Sequence, residues 1–312
     1  MQATLIYNGN SGSAESVSAD DLQAALGDAG FSPVYEKTEE ESDLDEVLKD
    51  IEGLVVTAGG DGTVRAVATR LVASGQNEKV ALAILPLGTA NNIGNTLGLN
   101  GSSPKEIIQS LQDPRKYTLD IGHVTAPWGE NYFIEAFGCG LFADLLTDYD
   151  PEEGKSVLRA LDTVGDVLAD YDPHRWQLSL DGEDLSDEYI AVEVLNMKAT
   201  GPRLKLAPDA DPTDGQFDVA CVVEPNNTTF FDYLAGLVSD NFDALENVSV
   251  LRGKKLELHW DGFPVHLDAE LHPEGITELD DVEEQTLNKE GTLVIEIIPQ
   301  ALELWLPSER ER

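Results

Sequence analysis

Cysteine is nearly absent from this chain of 312 residues, and the two that occur, Cys139 and Cys221, show no paired spacing. They can build neither a disulfide framework nor a cysteine-rich metal site, which fits a reducing cytoplasm. Long apolar runs are missing as well. No stretch reaches the roughly 18 apolar residues of a membrane-spanning helix, and the opening Met1-Gln-Ala-Thr-Leu-Ile-Tyr has neither the basic nor the apolar part of a secretory leader. The expectation is a soluble protein whose contacts with a membrane, if any, are peripheral. Basic residues are scarce: 20 Lys and Arg stand against 59 Asp and Glu, a net charge of −39. Such a surface repels nucleic acid and anionic membranes alike, so nucleic acid is not expected as a partner. The acids are dispersed among regular apolar segments, which argues against disorder. They are read instead as the surface of a halophile, where molar salt screens repulsion over about 3 Å.

What is present is enough apolar sequence, 41% of residues, for a sizeable core, and a length that favours two domains. The first third alternates short apolar runs with amphipathic stretches, the pattern of a parallel sheet flanked by helices. Strands are expected at Thr4–Tyr7, Gly53–Thr57 and Val80–Leu85. Helices are expected up to Asp28, with Gly30 ending the first, from a capping box at Ser42-Asp-Leu-Asp, and over Val64–Val72. A further helix should open at Ser103-Pro104 and run through Leu111. From about Tyr117 the pattern changes to strands between turn signals, with helices expected near Lys155–Ala169 and Thr228–Leu237. Hairpin turns are expected at Asp181-Gly182 and Asp261-Gly262, and a last strand over Gly291–Pro299. The fold class is therefore α/β, with an N-terminal parallel-sheet domain over residues 1–118 and a mainly antiparallel β-sandwich domain over 119–298. Residues 299–312 are expected to pack back on the first domain.

Two loops carry the chemistry. Val55-Val56-Thr57-Ala58-Gly59-Gly60-Asp61-Gly62-Thr63 runs from a buried strand into a helix, so its backbone N–H groups can converge on phosphate oxygens that side chains would otherwise block. Asp61 would coordinate or position Mg²⁺. An ordinary strand-turn-helix corner with glycines chosen for positive φ would contain the same residues. The segment lacks the Lys of a Walker loop and the spacing of a dinucleotide fingerprint. The second loop, Leu85-Pro86-Leu87-Gly88-Thr89-Ala90-Asn91-Asn92, follows the next strand in the same context. In an open parallel sheet both would lie at the carboxyl edge, where ligands bind.

This pair of motifs resembles the diacylglycerol-kinase catalytic family, which includes soluble bacterial lipid kinases, and the resemblance extends over nearly the whole chain. The family's opening loop is matched by Asn8-Gly9-Asn10-Ser11-Gly12, and its entry to the second domain by Leu119-Asp120-Ile121-Gly122. Its Asp-Gly loop is matched loosely by Pro208 to Asp218, and its Asp-Gly-Glu strand by Asp268-Ala269-Glu270. The resemblance implies ATP binding by an α/β domain, a β-sandwich lipid domain, and phosphoryl transfer in the cleft between them to a lipid hydroxyl. Carried over, it makes Glu270 the proton acceptor, with Asp268 as second choice. Taken alone, these two acids alternate with Ala269 on a strand, as solvated-face residues would. Asn8, Ser11, Gly12, Thr38, Gly59 to Thr63, Arg65, Gly88, Thr89 and Asn91 are implied to surround the nucleotide. Asp61 and Asp120 are implied for metal near it, and Asp211, Asp214 and Gln216 for a structural Mg²⁺, although Asp-Pro-Thr-Asp-Gly is equally a plain turn sequence.

The chain departs from the family pattern at Gly9, Arg65, Ala66, Asn92 and Ala269. Asn92 removes a carboxylate from the Asp61 and Asp120 network, while Arg65 could reach a phosphate and supply positive charge in part. Two other functions stay open on the sequence: an NAD or sugar kinase of the wider superfamily, and a nucleotide- or lipid-binding regulator without catalysis. A homodimer is expected only because symmetric oligomers are common.

Overall fold

The computed structural model describes residues 1–9, 17–36, 38, 40–99, 101–147, 171–201, 203–223, 242–273 and 290–308. The helices expected at Lys155–Ala169 and Thr228–Leu237 lie outside these residues, as do Ser11 and Gly12. The chain divides into two units, Met1–Ile121 with Pro299–Arg312, and Gly122–Ile298.

In chain order the elements beginning in the first unit are β1 (Gln2–Tyr7), α1 (Ala19–Asp28), β2 (Ser32–Tyr35), α2 (Leu44–Val47), β3 (Gly53–Gly59), α3 (Asp61–Ala73), β4 (Val80–Pro86), α4 (Asn92–Thr96), α5 (Pro104–Ser110) and β5 (Arg115–Ala126). Strands β2, β1, β3 and β4 pair in that order, all parallel. Residues of β3 and β4 are buried almost throughout, as expected of strands covered on both faces. Leu22 and Leu26 of α1 and Ile107 and Ile108 of α5 share one core with Leu5, Leu54, Val56 and Leu85. Both helices open on capping boxes, Ser18 with Asp21 and Ser103 with Glu106. The box expected at Ser42 falls elsewhere. The carboxylate of Asp43 accepts from the N–H of Glu40 at 3.1 Å, so the reciprocal spacing of three residues closes on Glu40, and a 3-10 turn over Glu41–Asp43 precedes α2.

The second unit continues with β6 (Gly129–Phe133), β7 (Ala136–Gly140), α6 (Leu141–Thr147), β8 (His174–Trp176), β9 (Leu178–Leu180), β10 (Glu183–Asp184), β11 (Asp187–Tyr189), β12 (Ala191–Leu195), β13 (Phe217–Val222), β14 (Val248–Gly253), β15 (Lys255–Trp260), β16 (Val265–Leu267), β17 (Glu270–His272) and β18 (Gly291–Leu306). One antiparallel sheet has the order β14-β13-β12-β7-β16-β17. Its residues Phe137, Val192, Phe217 and Val265 share a core with Leu178, Leu256, Trp260, Leu293 and Ile295 of the β9, β15 and β18 layer. These two layers make a β-sandwich.

Asp181-Gly182 is a two-residue hairpin turn between β9 and β10, with φ of 51° and 84°. Asp261-Gly262 is not a hairpin. Strand β15 pairs with β9 and β18, whereas β16 pairs with β7 and β17, so this turn carries the chain from one layer to the other. The indole of Trp260 donates to the Phe263 carbonyl at 2.7 Å across it. The final strand does not stop at Pro299. Proline lacks an N–H but can occupy an interruption in a ladder. Gln300 takes φ of 53° there, donating its N–H to the fully buried Asp120 at 2.7 Å. Beyond this point β18 pairs in parallel with β4, Glu303 opposite Ala81.

Candidate functional site

The parallel order of β1 to β4 brings the segments that follow them to one edge of the sheet. Asn8, Thr38, Gly59 to Thr63 and Gly88 to Asn91 thus belong to the same edge, which is where an open α/β sheet binds ligands. Asn8 donates from its amide to Thr63 Oγ1 at 3.2 Å, tying the end of β1 to the first turn of α3. The two glycine loops touch backbone to backbone. Leu87 N–H donates to the Gly59 carbonyl at 2.8 Å. A Cβ on Gly88 would fall 2.5 Å from the Gly60 Cα and 2.8 Å from Asn91 Oδ1, and one on Gly59 would fall 2.4 Å from Thr63 Oγ1.

Asn91 closes the second loop on itself. Its side chain accepts from the Gly88 N–H and donates to the Gly88 carbonyl, both at 2.8 Å, with its backbone at φ of 52°. Asp61, the first residue of α3, reaches across to the same loop and accepts from Ile93 N–H at 3.1 Å. Burial pushes its carboxyl above the ordinary value, while backbone donors at Ile93, Asn92 and Asn91 oppose that shift. Asp61 therefore bridges the two loops, a role that spacing did not reveal.

Arg65 and Asp120, also expected near nucleotide or metal, have partners of their own. The Arg65 guanidinium pairs with Glu41 at 3.3 Å, beside Arg70, which holds Glu41 at 2.7 Å and Asp45 at 2.9 Å. Glu41, just ahead of α2, is thus one charge partner of Arg65 in this structure. Asp120 is engaged with the Gln300 backbone.

The loop of Asp211, Asp214 and Gln216, expected to hold a structural Mg²⁺, is tied by its own hydrogen bonds and by Arg252. The Asp214 carboxylate is paired through Oδ2 with Arg252 and accepts the Gln216 N–H on Oδ1 at 2.9 Å. Asp211 accepts the N–H of Thr213 at 3.0 Å and its hydroxyl at 2.7 Å. Arg252 stands opposite Asp218 in the β13–β14 ladder and lies 3.8 Å from it. Asp218 is itself pushed up to about 6 by burial and by Asp209 and Asp211. The Arg252 guanidinium thus neutralises Asp214 in this structure. Chelation by EDTA at constant KCl is expected to leave the unfolding of this unit unchanged, whereas Arg252→Met, which frees the carboxylates, should acquire a Mg²⁺-dependent rise in melting temperature. Equal Mg²⁺ response of both proteins in a thermal scan would refute this.

In the second unit, Asp268 and Ala269 are not strand residues. They form the two-residue turn between β16 and β17, at φ of 50° and 66°, with Leu267 paired to Glu270. Positive φ at both central positions defines a type I′ hairpin, whose second position favours glycine. Asp268 is held firmly. Its carboxylate accepts from Ile134 N–H at 2.8 Å, Glu135 N–H at 2.6 Å and Ala136 N–H at 3.0 Å, and its own N–H donates to the Ala136 carbonyl at 2.8 Å. Glu270 is the first residue of β17 and is exposed. The geometry makes Asp268 a brace and leaves Glu270 as the carboxylate presented to solvent. Ala269→Gly should relieve the positive-φ strain and raise stability by about 0.5–1 kcal/mol, read as a higher denaturant midpoint. A fall in that midpoint would show that Ala269 is unstrained.

A parallel α/β unit with two interlocked glycine loops at its carboxyl edge, followed by a β-sandwich unit, defines the chain as a protein of the diacylglycerol-kinase-like class. The model of the diacylglycerol kinase catalytic domain matches residues 2–124, and that of the YegS C-terminal NAD kinase beta sandwich-like domain matches residues 158–305. It is 27% identical to the "Probable lipid kinase YegS-like" of Yersinia pestis (strain Pestoides F) over 81% of this chain and 78% of that one. With the protein of the same name from Pseudomonas fluorescens (strain Pf0-1) it shares 28% over 69% and 68%. In fold it is similar to the crystal structure of a diacylglycerol kinase from Bacillus anthracis str. Sterne, with a TM-score of 0.67 at 17% identity over 98% of this chain and 96% of that one. Among the described residues no helix is long and apolar enough to cross a membrane.

Proposed function

We propose that this protein is an ATP-dependent lipid kinase that transfers the γ-phosphoryl group to a hydroxyl of diacylglycerol or a related glycerolipid or isoprenoid lipid. The observation that carries the reading is the interlocking of Gly59–Thr63 with Gly88–Asn91 through Asp61, an arrangement suited to hold phosphates with backbone N–H groups. The lipid-kinase names of its relatives support the acceptor class. Glu270 takes the proton of the acceptor hydroxyl as its oxygen attacks the γ-phosphorus, and the bond to the oxygen bridging to the β-phosphate breaks, releasing ADP. Because phosphoryl transfer depends mainly on alignment and charge neutralisation, a positioned carboxylate and a phosphate cradle are the parts the protein must supply. Mg²⁺, bound with the nucleotide at Asp61, would neutralise phosphate charge.

In this reading the lipid is met peripherally, from the cytoplasm, by a monomer or a homodimer. Incubation with γ-labelled ATP and Mg²⁺ in molar KCl, against a panel of neutral glycerolipids and isoprenoid lipids, tests the reading. Label on a lipid supports it. The NAD-kinase-like description of the second domain makes NAD the control acceptor: label on NAD alone would replace the lipid reading, and ATP binding with no labelled product would replace it with a regulator.

A further inference from the structure

Two deeply buried ionisable groups of the second unit are outside the chemistry described so far. Glu193 of β12 and His266 of β16 are 0% and 2% exposed, and the imidazole Nε2 lies 3.1 Å from both carboxylate oxygens. Their strands are not neighbours, for β7 runs between them. In register, Gly138 stands directly opposite Glu193 on one side and His266 on the other. A Cβ at position 138 would lie 2.1 Å from Glu193 Oε1, so only glycine lets the carboxylate cross the strand to the imidazole.

The surrounding face is apolar: Ala136, Ala191, Leu195, Ala220 and Val222 on the strands pack with Leu141 and Leu145 of α6. Packing alone does not call for a charged pair here, since well-packed apolar residues in place of a buried ion pair are often neutral or stabilising. Burial pushes the Glu193 carboxyl upward, opposed by His266. Burial works against the imidazolium, yet the adjoining Glu193 carboxylate carries His266 above its ordinary value. Both shifts favour a proton retained on the pair.

The location gives the pair its consequence. His266 lies two residues before Asp268 on the strand that leads into the hairpin bearing Glu270. That hairpin is fixed at its turn to the β6–β7 connection and the first residue of β7 by the three backbone donors to Asp268. It is fixed again, one pleat repeat earlier, by His266 through Glu193 to β12. We propose that Glu193 and His266 are a proton-sharing positioning pair that holds the Glu270 hairpin in place and thereby sets turnover rather than nucleotide binding. This inference rests on the assignment of Glu270 as proton acceptor.

The test is a double-mutant cycle of Glu193→Gln, His266→Gln and both together in the full chain, with Glu270→Gln alongside. Thermal unfolding and steady-state kinetics are measured for each. The expected result is a kcat lowered about tenfold or more in each single variant, as a misplaced catalytic group gives, with KM for ATP within about twofold. The double variant, an amide facing an amide, should lose less than the product of the single effects, in kcat and in unfolding free energy. Wild-type kcat in folded single variants, beside an inactive Glu270→Gln, overturns the positioning role alone. Active Glu270→Gln overturns the proton-acceptor assignment and this role with it. Additive unfolding effects overturn the pair itself, whatever the activity.

Discussion

Replacing Glu270 by Gln is expected to lower kcat by about a hundred- to ten-thousand-fold, the range that a positioned general base contributes, without a change in stability. Glu270 is exposed at the start of β17, and exposed conservative changes stay within about 0.5 kcal/mol. The neighbouring carboxylate should behave in the opposite manner. Asp268→Ala withdraws the acceptor of three backbone N–H groups, two of them on the fully buried Ile134 and Ala136. Orphaning buried donors costs about 1–3 kcal/mol each, so a loss of about 3 kcal/mol is expected even if water reaches one of them. Kinetics and chemical denaturation on the two variants separate a chemical from a structural carboxylate. Near-normal turnover in Glu270→Gln would remove it from the mechanism, and an unchanged denaturant midpoint in Asp268→Ala would remove the brace.

Gly88→Ala is expected to abolish measurable ATP binding. The added methyl would meet the Gly60 Cα at 2.5 Å and Asn91 Oδ1 at 2.8 Å. Neither neighbour can retreat cheaply. Gly60 caps α3, and Asn91 is held to Gly88 by two hydrogen bonds. The loops must therefore separate, at a cost of about 1–3 kcal/mol from overpacking, and the Asp61 contact to Ile93 is pulled out of line with them. Calorimetric titration with ATP measures the outcome. Binding at wild-type affinity would mean that the two loops need not touch to form the phosphate cradle. Gly62 serves as the control, because a Cβ there meets nothing within 4 Å, so Gly62→Ala should bind ATP far better than Gly88→Ala.

The sequence by itself determined the elements whose cause is local. Fully apolar runs at Val55 and Val80 gave buried parallel strands, and Ser103-Pro104 with Glu106 gave a helix start, because caps and periodicity act within a few residues. The glycine loops were legible for the same reason, and with them the family and the fold class. Contacts between distant positions were decided only by the tertiary structure. Asp261-Gly262 has hairpin residues, yet the partners of β15 and β16 lie in different layers, and strand pairing is a property of the whole sheet. Asp268-Ala269 read as strand, since alternation cannot show that three amides 132 to 134 residues away would hold the aspartate in a turn. Arg252 met Asp218, and Glu193 met His266 across Gly138, through register alone. Sequence patterning reports which face of an element is buried; which residue stands opposite is fixed by the pairing of strands far apart in the chain, and in this protein that pairing sets the electrostatics around the candidate carboxylate.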